Sequence, residues 1–161
     1  MKVREVMTRE TASCGLDTSL AGAVEVMQKF NCGFLPVIGE GGNVVGVITD
    51  RDICIALGQS EQKPSEVLVR DVMLPKDRTF PELYVCTPDD NVRCILKTMR
   101  AQKIRRLPVV DREGALQGIV SIDDLVLRAC EHSGPEGISC KEVVETYKAI
   151  RRHVQRWPAA A

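Results

Sequence analysis

The amino-acid sequence repeats itself, and this repeat limits the possible folds more than any other feature. Val3-Arg4-Glu5-Val6-Met7 returns as Val69-Arg70-Asp71-Val72-Met73 at an offset of 66 residues, and later landmarks return at an offset of 72, as Leu35-Pro36-Val37 does at Leu107-Pro108-Val109. Single residues also match at the second offset: Asp17 with Asp89, Met27 with Met99, Gly42 with Gly114, Gly46 with Gly118, and Asp52 with Asp124. The change of offset indicates an insertion in Leu74–Glu82, which we predict to be a surface loop.

Each copy changes its hydrophobic periodicity in the same order. In the first copy, apolar residues at helical spacing are followed by two β-rich runs, Phe34–Ile38 and Val44–Ile48, with a glycine-rich turn between them. A second helix follows each hairpin. The pattern predicts a mixed α/β (α+β) fold with two β-α-β-β-α repeats, at residues 1–62 and 63–132. Because a repeat of about 60 residues buries only part of its apolar surface alone, we expect the two copies to pack together.

The composition excludes several classes of protein. The 161 residues carry 22 basic and 22 acidic side chains, so no positive field attracts nucleic acid. The apolar runs are far shorter than the roughly 20 residues that span a bilayer, and we expect a cytoplasmic protein without a membrane segment. The 7 cysteines form no Cys-x-x-Cys pair. We therefore expect most of them to be reduced core residues, and we predict no metal site.

The ordered set of motifs resembles the CBS domain, named after cystathionine beta-synthase. Both copies carry Val-x-[Glu/Asp]-Val-Met, a helix, Leu-Pro-Val, a glycine turn and Gly-[Val/Ile]-[Ile/Val]-[Thr/Ser]-x-x-Asp, over roughly residues 1–132. The resemblance implies two repeats packed about a pseudo-twofold axis with two clefts between them. In many relatives such clefts hold adenosine-containing ligands. It also implies a sensor, usually a homodimer, rather than an enzyme.

Two short motifs are the principal candidates for the ligand site. Thr49 with Asp52, and Ser121 with Asp124, place a hydroxyl and a carboxylate three residues apart, where a strand is followed by a helix. A carboxylate only accepts hydrogen bonds and suits ribose hydroxyls, whereas a hydroxyl beside a helix N-terminus suits phosphate or ribose oxygens. The resemblance implies the same roles.

The same spacing is also that of a helix capping box. Thr87 with Asp90, and Ser139 with Glu142, share it outside the strand context, and we interpret both pairs as caps alone. The spacing by itself decides nothing, and capping and binding are compatible roles.

Other candidate residues come from the neighbouring segments. By resemblance, the backbone near Leu35-Pro36 and Leu107-Pro108 meets the adenine edge; the alternative is that each proline only shapes the start of a strand. Arg51 and Arg106 could reach a phosphate tail, although Arg106 is as readily a solvated side chain. The two sites are not equivalent, because Arg51 has Asp123 as its counterpart.

Residues 133–161 follow the repeat as a predicted linker and a C-terminal amphipathic helix. The apolar positions of this helix form one predicted stripe: Val143, Tyr147, Ile150, Val154 and Trp157. We expect the stripe to pack on the repeats or on a second copy of the chain.

We consider three kinds of function. The first is a regulatory sensor that binds AMP, ADP, ATP, NAD or S-adenosylmethionine and modulates an unidentified partner protein in trans. The second is a ligand-independent homodimerisation scaffold in which both motifs only cap helices. An enzyme is disfavoured, because the sequence has no phosphate-loop or dinucleotide fingerprint and its 2 histidines lie in the linker and the tail.

Overall fold

The computed structural model describes residues 1–73, 82–129 and 137–152. A 3₁₀ helix, Val3–Glu5, is followed by five strands and six α-helices: β1 (Cys14–Gly15), α1 (Leu20–Lys29), β2 (Phe34–Ile38), β3 (Val44–Thr49), α2 (Asp50–Gly58), α3 (Val69–Met73), α4 (Val92–Gln102), β4 (Arg106–Val110), β5 (Leu116–Ser121), α5 (Ile122–Arg128) and α6 (Cys140–Arg151). The predicted mixed α/β class is confirmed.

The described residues form two compact units. The repeat-1 unit contains Glu10–Tyr84 and the turn Arg112–Leu116, and the repeat-2 unit contains Met1–Arg9, Val85–Asp111 and the chain from Gln117 onward. The two units are defined by contacts in space, whereas the boundaries predicted at residues 62 and 132 are defined by the sequence repeat. Those boundaries and the pseudo-twofold axis stay predictions.

The repeat-1 unit has a three-stranded sheet with β2 at its centre. β1 pairs with β2 in parallel, β2 pairs with β3 antiparallel, and Phe34 lies opposite Thr49. Because β2 has neighbours on both edges, four of its five residues are buried, while β3 alternates between buried and half-buried positions. The predicted turn follows β2, and Gly42 has a φ of +79°, where a side chain would be strained.

Helices α1 and α2 cover this sheet. Ser19 is the N-cap of α1, since its hydroxyl accepts from the amide of Gly22 at 3.1 Å. The helices, the sheet and α3 enclose one apolar cluster: Cys14, Leu20, Ala23, Met27, Leu35, Val37, Ile48, Ile53, Val67, Val69 and Met73. This cluster fixes where β3 ends and α2 begins.

The repeat-2 unit repeats the plan with β4 and β5 as its hairpin. Its first strand is reduced to a single parallel bridge between Cys86 and Val109. Asn91 is the N-cap of α4, and its side chain accepts from the amide of Arg93 at 2.9 Å. The prediction that Thr87 caps this helix is therefore wrong; its amide donates to Asp90 within the turn before the helix.

The leading segment of each repeat packs with the other repeat. In the repeat-2 unit, the amide of Val3 donates to the carbonyl of Asp90 at 3.0 Å. In the repeat-1 unit, the amide of Val69 donates to the carbonyl of Thr18 at 2.9 Å. Asp90 and Thr18 are counterparts at the offset of 72, so the same contact forms twice with the segments exchanged.

Two ion pairs mirror this exchange. Arg4 pairs with Asp89 at 2.6 Å, and its counterpart Arg70 pairs with Asp17. All four side chains are largely exposed, so each pair contributes at most about 1 kcal/mol. Because both pairs join an arginine to an aspartate, their charges do not distinguish one leading segment from the other.

The C-terminal helix α6 packs on α4 and α5 in the repeat-2 unit. Its buried residues are Val143, Thr146 and Ile150, whereas Tyr147 is exposed. The predicted stripe is thus wrong at Tyr147, because the docked face is rotated towards Thr146, whose hydroxyl donates to the carbonyl of Glu142 at 2.9 Å. Outside the described residues lie Val154 and Trp157, residues 133–136 of the predicted linker, and residues 74–81 of the loop predicted at Leu74–Glu82.

Candidate functional site

The first candidate pair, Thr49 and Asp52, lies in the repeat-1 unit where β3 passes into α2. The Asp52 carboxylate accepts through Oδ2 from the Thr49 amide at 3.0 Å and from the Thr49 hydroxyl at 2.6 Å. The Asp52 amide donates back to the Thr49 hydroxyl oxygen at 3.2 Å. The two residues therefore form a complete capping box.

The second pair, Ser121 and Asp124, repeats this geometry in the repeat-2 unit between β5 and α5. Oδ2 of Asp124 accepts from the Ser121 amide at 2.7 Å and from the hydroxyl at 2.6 Å. Ser121 and Thr49 have the same backbone angles, with φ of −117° and ψ of 161°. The sequence repeat is thus reproduced at the level of single atoms.

Each capping box leaves one carboxylate oxygen without a role in the cap. Within the described chain, Oδ1 of Asp52 and Oδ1 of Asp124 receive no hydrogen bond. An ionised carboxylate can accept several hydrogen bonds, so an external hydroxyl can be bound while the cap stays closed. The local geometry allows both roles for the same side chain.

The cap alone does not identify a site. Ser139 and Glu142 make an equivalent box at the start of α6, with distances of 2.9 Å from the Ser139 amide and 2.9 Å from its hydroxyl to Glu142 Oε2. This box follows no strand. It offers a matched control in which capping occurs outside the strand-to-helix context.

The leucine and proline candidates are part of the core. Leu35, Pro36, Leu107 and Pro108 are all buried, so their side chains pack within the protein. A ligand could meet only the backbone at these positions. The carbonyl of Pro108 already accepts from the amide of Cys86 at 3.0 Å.

The residues just before β2 and β4 lie beside the caps. The amide of Asp50 donates to the carbonyl of Gly33 at 3.3 Å, and the amide of Ile122 donates to the carbonyl of Arg105 at 2.9 Å. Arg106, the first residue of β4, directly follows Arg105 and is therefore close to the second cap. In both units the structure thus brings the segment before the hairpin next to the first residue of the following helix.

The two sites differ in charge. At the first site, the Asp50 carboxylate lies over Gly33, where a Cβ would be 2.5 Å from Oδ2, and Oδ1 of Asp50 accepts from the Arg51 amide at 2.7 Å. Sequence reasoning did not assign Asp50 to the site, although its different counterpart, Ile122, was a signal. At the second site, Arg105 is exposed and Arg106 is half-buried.

Two open depressions lie on the repeat-1 unit. One, of about 400 Å³, is at the C-terminal end of β2 and includes Asp17 and Arg70; the other, of about 650 Å³, lies between α1 and α2. Neither is lined by Thr49 or Asp52. The second depression nevertheless includes Gly33 and Asp50, so it borders the first candidate site at the start of α2.

The cysteines only partly match the expectation of reduced core residues. Cys14 and Cys86 are buried, and burial raises the pKa of their thiols to about 11 and about 12. Cys54 and Cys94 are free but exposed, and Cys140 is disulfide-bonded. Cys54 and Cys94 are thus reduced as expected but lie outside the core, whereas Cys140 is not reduced.

The described residues contain neither a metal-ligand cluster nor a membrane-spanning helix. Their histidine, cysteine, aspartate and glutamate side chains form no group of three or more that could hold a metal ion. Among the same residues, no helix has the length and hydropathy needed to cross a bilayer.

The comparisons with known proteins point to one family. The family model of the CBS domain matches residues 3–59 and 69–130. Protein YlbB of Bacillus subtilis is 32% identical over 127 residues, which cover 78% of this chain and 80% of YlbB. The inosine-5′-monophosphate dehydrogenase of Methanocaldococcus jannaschii is 29% identical over 127 residues, which cover 79% of this chain but 23% of the dehydrogenase.

A solved structure has the same fold. The CBS domain pair of protein MJ0100, in complex with 5′-methylthioadenosine and S-adenosyl-L-methionine, is 25% identical with a TM-score of 0.64, and the match covers 79% of this chain and 94% of that one. The family match covers both sequence repeats, and the structural match covers most of the chain. The chain therefore belongs to the CBS domain family and carries the domain twice in tandem.

Proposed function

We propose that the chain is a regulatory module that binds an adenosine-containing ligand at Thr49–Asp52, at Ser121–Asp124, or at both. The observation that carries this proposal is the open Oδ1 of each capping carboxylate at a strand-to-helix junction. The complex of the MJ0100 domain pair with two adenosine derivatives supports the class of ligand. AMP, ADP, ATP, NAD and S-adenosylmethionine all contain the ribose that such a carboxylate would bind.

Each residue has a defined role in this proposal. Oδ1 of Asp52 and of Asp124 accepts from a ribose hydroxyl, while Oδ2 keeps the helix capped. The backbone at Leu35-Pro36 and Leu107-Pro108 lines the adenine side. Since the side chains of these four residues are buried, substitutions there would act through folding and would not test binding directly.

The charges around the two caps favour different ligands. Near the first cap, Asp50 and Asp52 outnumber Arg51, which favours a ligand without phosphate, such as a nucleoside or the sulfonium of S-adenosylmethionine. Near the second cap, Arg105 and Arg106 balance Asp123 and Asp124. Guanidinium groups bind phosphate well, so phosphate-bearing ligands would prefer the second site.

The module would act by changing shape and not by chemistry. A ligand shifts a conformational equilibrium by its differential affinity for the two states, and a partner protein bound in trans would respond to the shift. We propose a cytoplasmic homodimer without catalytic activity. The alternative is a ligand-independent scaffold, which the capping boxes also permit.

Calorimetry with AMP, ATP, NAD and S-adenosylmethionine tests the proposal. We expect Asp52→Asn or Asp124→Asn to weaken binding about 10- to 100-fold, because a bond to a charged acceptor is lost while the cap is kept. Glu142→Gln is the matched control, and we expect it to leave the affinity unchanged. Absence of binding by the wild type would favour the scaffold, and equal affinities in all variants would show that the ligand does not bind at these carboxylates.

A further inference from the structure

The charged side chains are distributed unequally between the two units, although the whole chain is neutral. By sequence, the repeat-2 unit contains 15 basic and 10 acidic side chains, whereas the repeat-1 unit contains 7 basic and 12 acidic ones. At physiological salt, exposed charges act mainly within a Debye length of about 8–10 Å. A ligand therefore responds to the charge of the face that it contacts and not to the net charge of the chain.

The basic excess of the repeat-2 unit is concentrated on α4 and α6. These helices and their C-terminal caps carry 8 basic side chains, all exposed, which we call the α4–α6 face: Arg93, Lys97, Arg100, Lys103, Lys141, Lys148, Arg151 and Arg152. The acidic side chains of the two helices are Glu142 and Glu145. Residues 74–81, 130–136 and 153–161, which the structure does not describe, contain 3 acidic and 3 basic side chains, too few acidic groups to neutralise this excess.

Contacts between α4 and α6 hold these cations in one surface. Arg100 and Lys103 donate hydrogen bonds to a hydroxyl and a carbonyl of α6, at 3.1 and 3.0 Å. Arg93 pairs with Glu142 at 3.3 Å, so one of the two acidic groups already has a cation beside it. Lys97 lies on the same side of α4 as Arg93 and Arg100, because it is four residues after the one and three before the other. The rim of α4 and the outer side of α6 are therefore continuous.

The α4–α6 face also includes two exposed apolar side chains. Val144 is 48% exposed and Tyr147 is 39% exposed. Lys148 follows Tyr147 in the sequence and lies one helical turn after Val144. Apolar contact surrounded by charged groups is typical of protein–protein interfaces. A nucleic-acid backbone would meet the cations but would leave Val144 without an apolar partner.

We propose that the α4–α6 face binds a short acidic segment of a partner protein. Carboxylates of the segment pair with cations of both helices, and its apolar side chains cover Val144 and Tyr147. Electrostatic attraction speeds the encounter and favours acidic segments over neutral or basic ones. The contact involves neither capping carboxylate, so it does not depend on the adenosine-containing ligand.

Fluorescence anisotropy with the full chain gives the first test. The probe is a fluorescein-labelled synthetic peptide of glutamates with leucine at every third position. We expect Lys97→Glu with Lys148→Glu to weaken its binding about tenfold or more, because two attractive charges become repulsive while the cations that bond to α6 are kept. Lys63→Glu with Arg112→Glu is the matched control, since it makes the same change of charge at exposed cations of the repeat-1 unit. No binding by the wild type, or equal losses in the two double variants, would overturn the proposal.

The apolar part of the contact is tested separately. We expect Val144→Ser to weaken binding of the leucine-containing peptide about threefold to tenfold and to leave binding of a peptide of glutamates alone unchanged. Leu127→Ser is the matched control, because Leu127 is 73% exposed on α5, outside the α4–α6 face. Equal affinities of the wild type for the two peptides would contradict the apolar contact.

Two other occupants of the face would give different results. If oligothymidylate binds the wild type more tightly than the peptide does, and loses affinity in the Lys97→Glu and Lys148→Glu variant, the face is a nucleic-acid site. If sedimentation velocity without peptide shows self-association that only this variant loses, the face binds a second copy of the chain. Either result would overturn the proposal. We expect the same variant to bind S-adenosylmethionine as the wild type does in calorimetry, so a failure of the peptide contact and a failure of the proposed ligand site are separate results.

Discussion

Alanine at Gly118 should destabilise the protein more than alanine at Gly46, although the two glycines are counterparts in the repeat. A Cβ at residue 118 would lie 2.5 Å from the carbonyl oxygen of Thr8. That carbonyl accepts from the amide of Ile119 at 2.9 Å, and the Thr8 amide donates to the carbonyl of Ile119 at 2.9 Å. At residue 46 the Cβ would instead meet the end of the Met73 side chain.

The expected difference in stability depends on whether the group that meets the new Cβ can move. Thr8 is held by two backbone hydrogen bonds, each worth about 0.5–1.5 kcal/mol, and overpacking costs about 1–3 kcal/mol. Met73 has a flexible side chain that can change its rotamer. Replacing glycine by alanine also reduces the conformational entropy of the unfolded chain, which stabilises the folded protein by about 0.4–1 kcal/mol. We expect Gly118→Ala to lower the free energy of unfolding by about 2 kcal/mol and Gly46→Ala by less than about 1 kcal/mol.

Urea denaturation of both variants measures these changes, and hydrogen exchange locates them. In Gly118→Ala the amide of Ile119 should lose protection, because the bridge to Thr8 is broken. In Gly46→Ala that amide should exchange as in the wild type. Equal losses of stability, or a larger loss in Gly46→Ala, would show that the leading segment near Thr8 is not packed against β5 in this way.

Three further predictions concern charge and ionisation. Because burial raises the pKa of the Cys86 thiol to about 12, alkylation at neutral pH should be slower at Cys86 than at Cys94, and peptide mass spectrometry that gives the reverse order would contradict its burial. Hydrogen bonds from the backbone amide and the hydroxyl at its helix cap lower the pKa of Glu142, so its stabilising effect should be present above the ordinary carboxyl pKa and lost as the pH falls through the lowered value. The melting temperature of Glu142→Gln should therefore depend less on acid pH than that of the wild type. Finally, replacing Arg105 and Arg106 by alanine should weaken ATP binding about tenfold relative to adenosine, and equal losses for both ligands in calorimetry would argue against a phosphate contact.

Local structure could be predicted from the sequence because its causes are local. Hydrophobic spacing predicted the helices around Met27 and Met99, and the glycine-rich turns predicted a hairpin in each repeat. Gly42 and Gly114 both have positive φ, of +79° and +85°, as turn glycines do. The pairs Thr49–Asp52 and Ser121–Asp124 form capping boxes, and their roles as ligand residues stay predictions.

The incorrect predictions concern features that depend on contacts between residues distant in the sequence. The sequence offered Thr87 as a cap, but α4 begins after Asn91, because the chain first makes a turn closed by Asp90. It offered Tyr147 as part of the buried stripe, but contacts with α4 rotate α6 so that Thr146 is buried instead. Both choices depend on neighbours that are distant in the sequence.

The sequence by itself determined that there are two homologous repeats, which elements each contains and where the turn of each hairpin lies. Only the tertiary structure decided that Val3 joins the repeat-2 unit and Val69 joins the repeat-1 unit. It also decided that α6 packs on α4 and α5 of the repeat-2 unit. Two similar repeats offer similar local surfaces, so their sequences cannot specify which copy a segment joins. That choice depends on chain connection and on the fit of side chains in three dimensions.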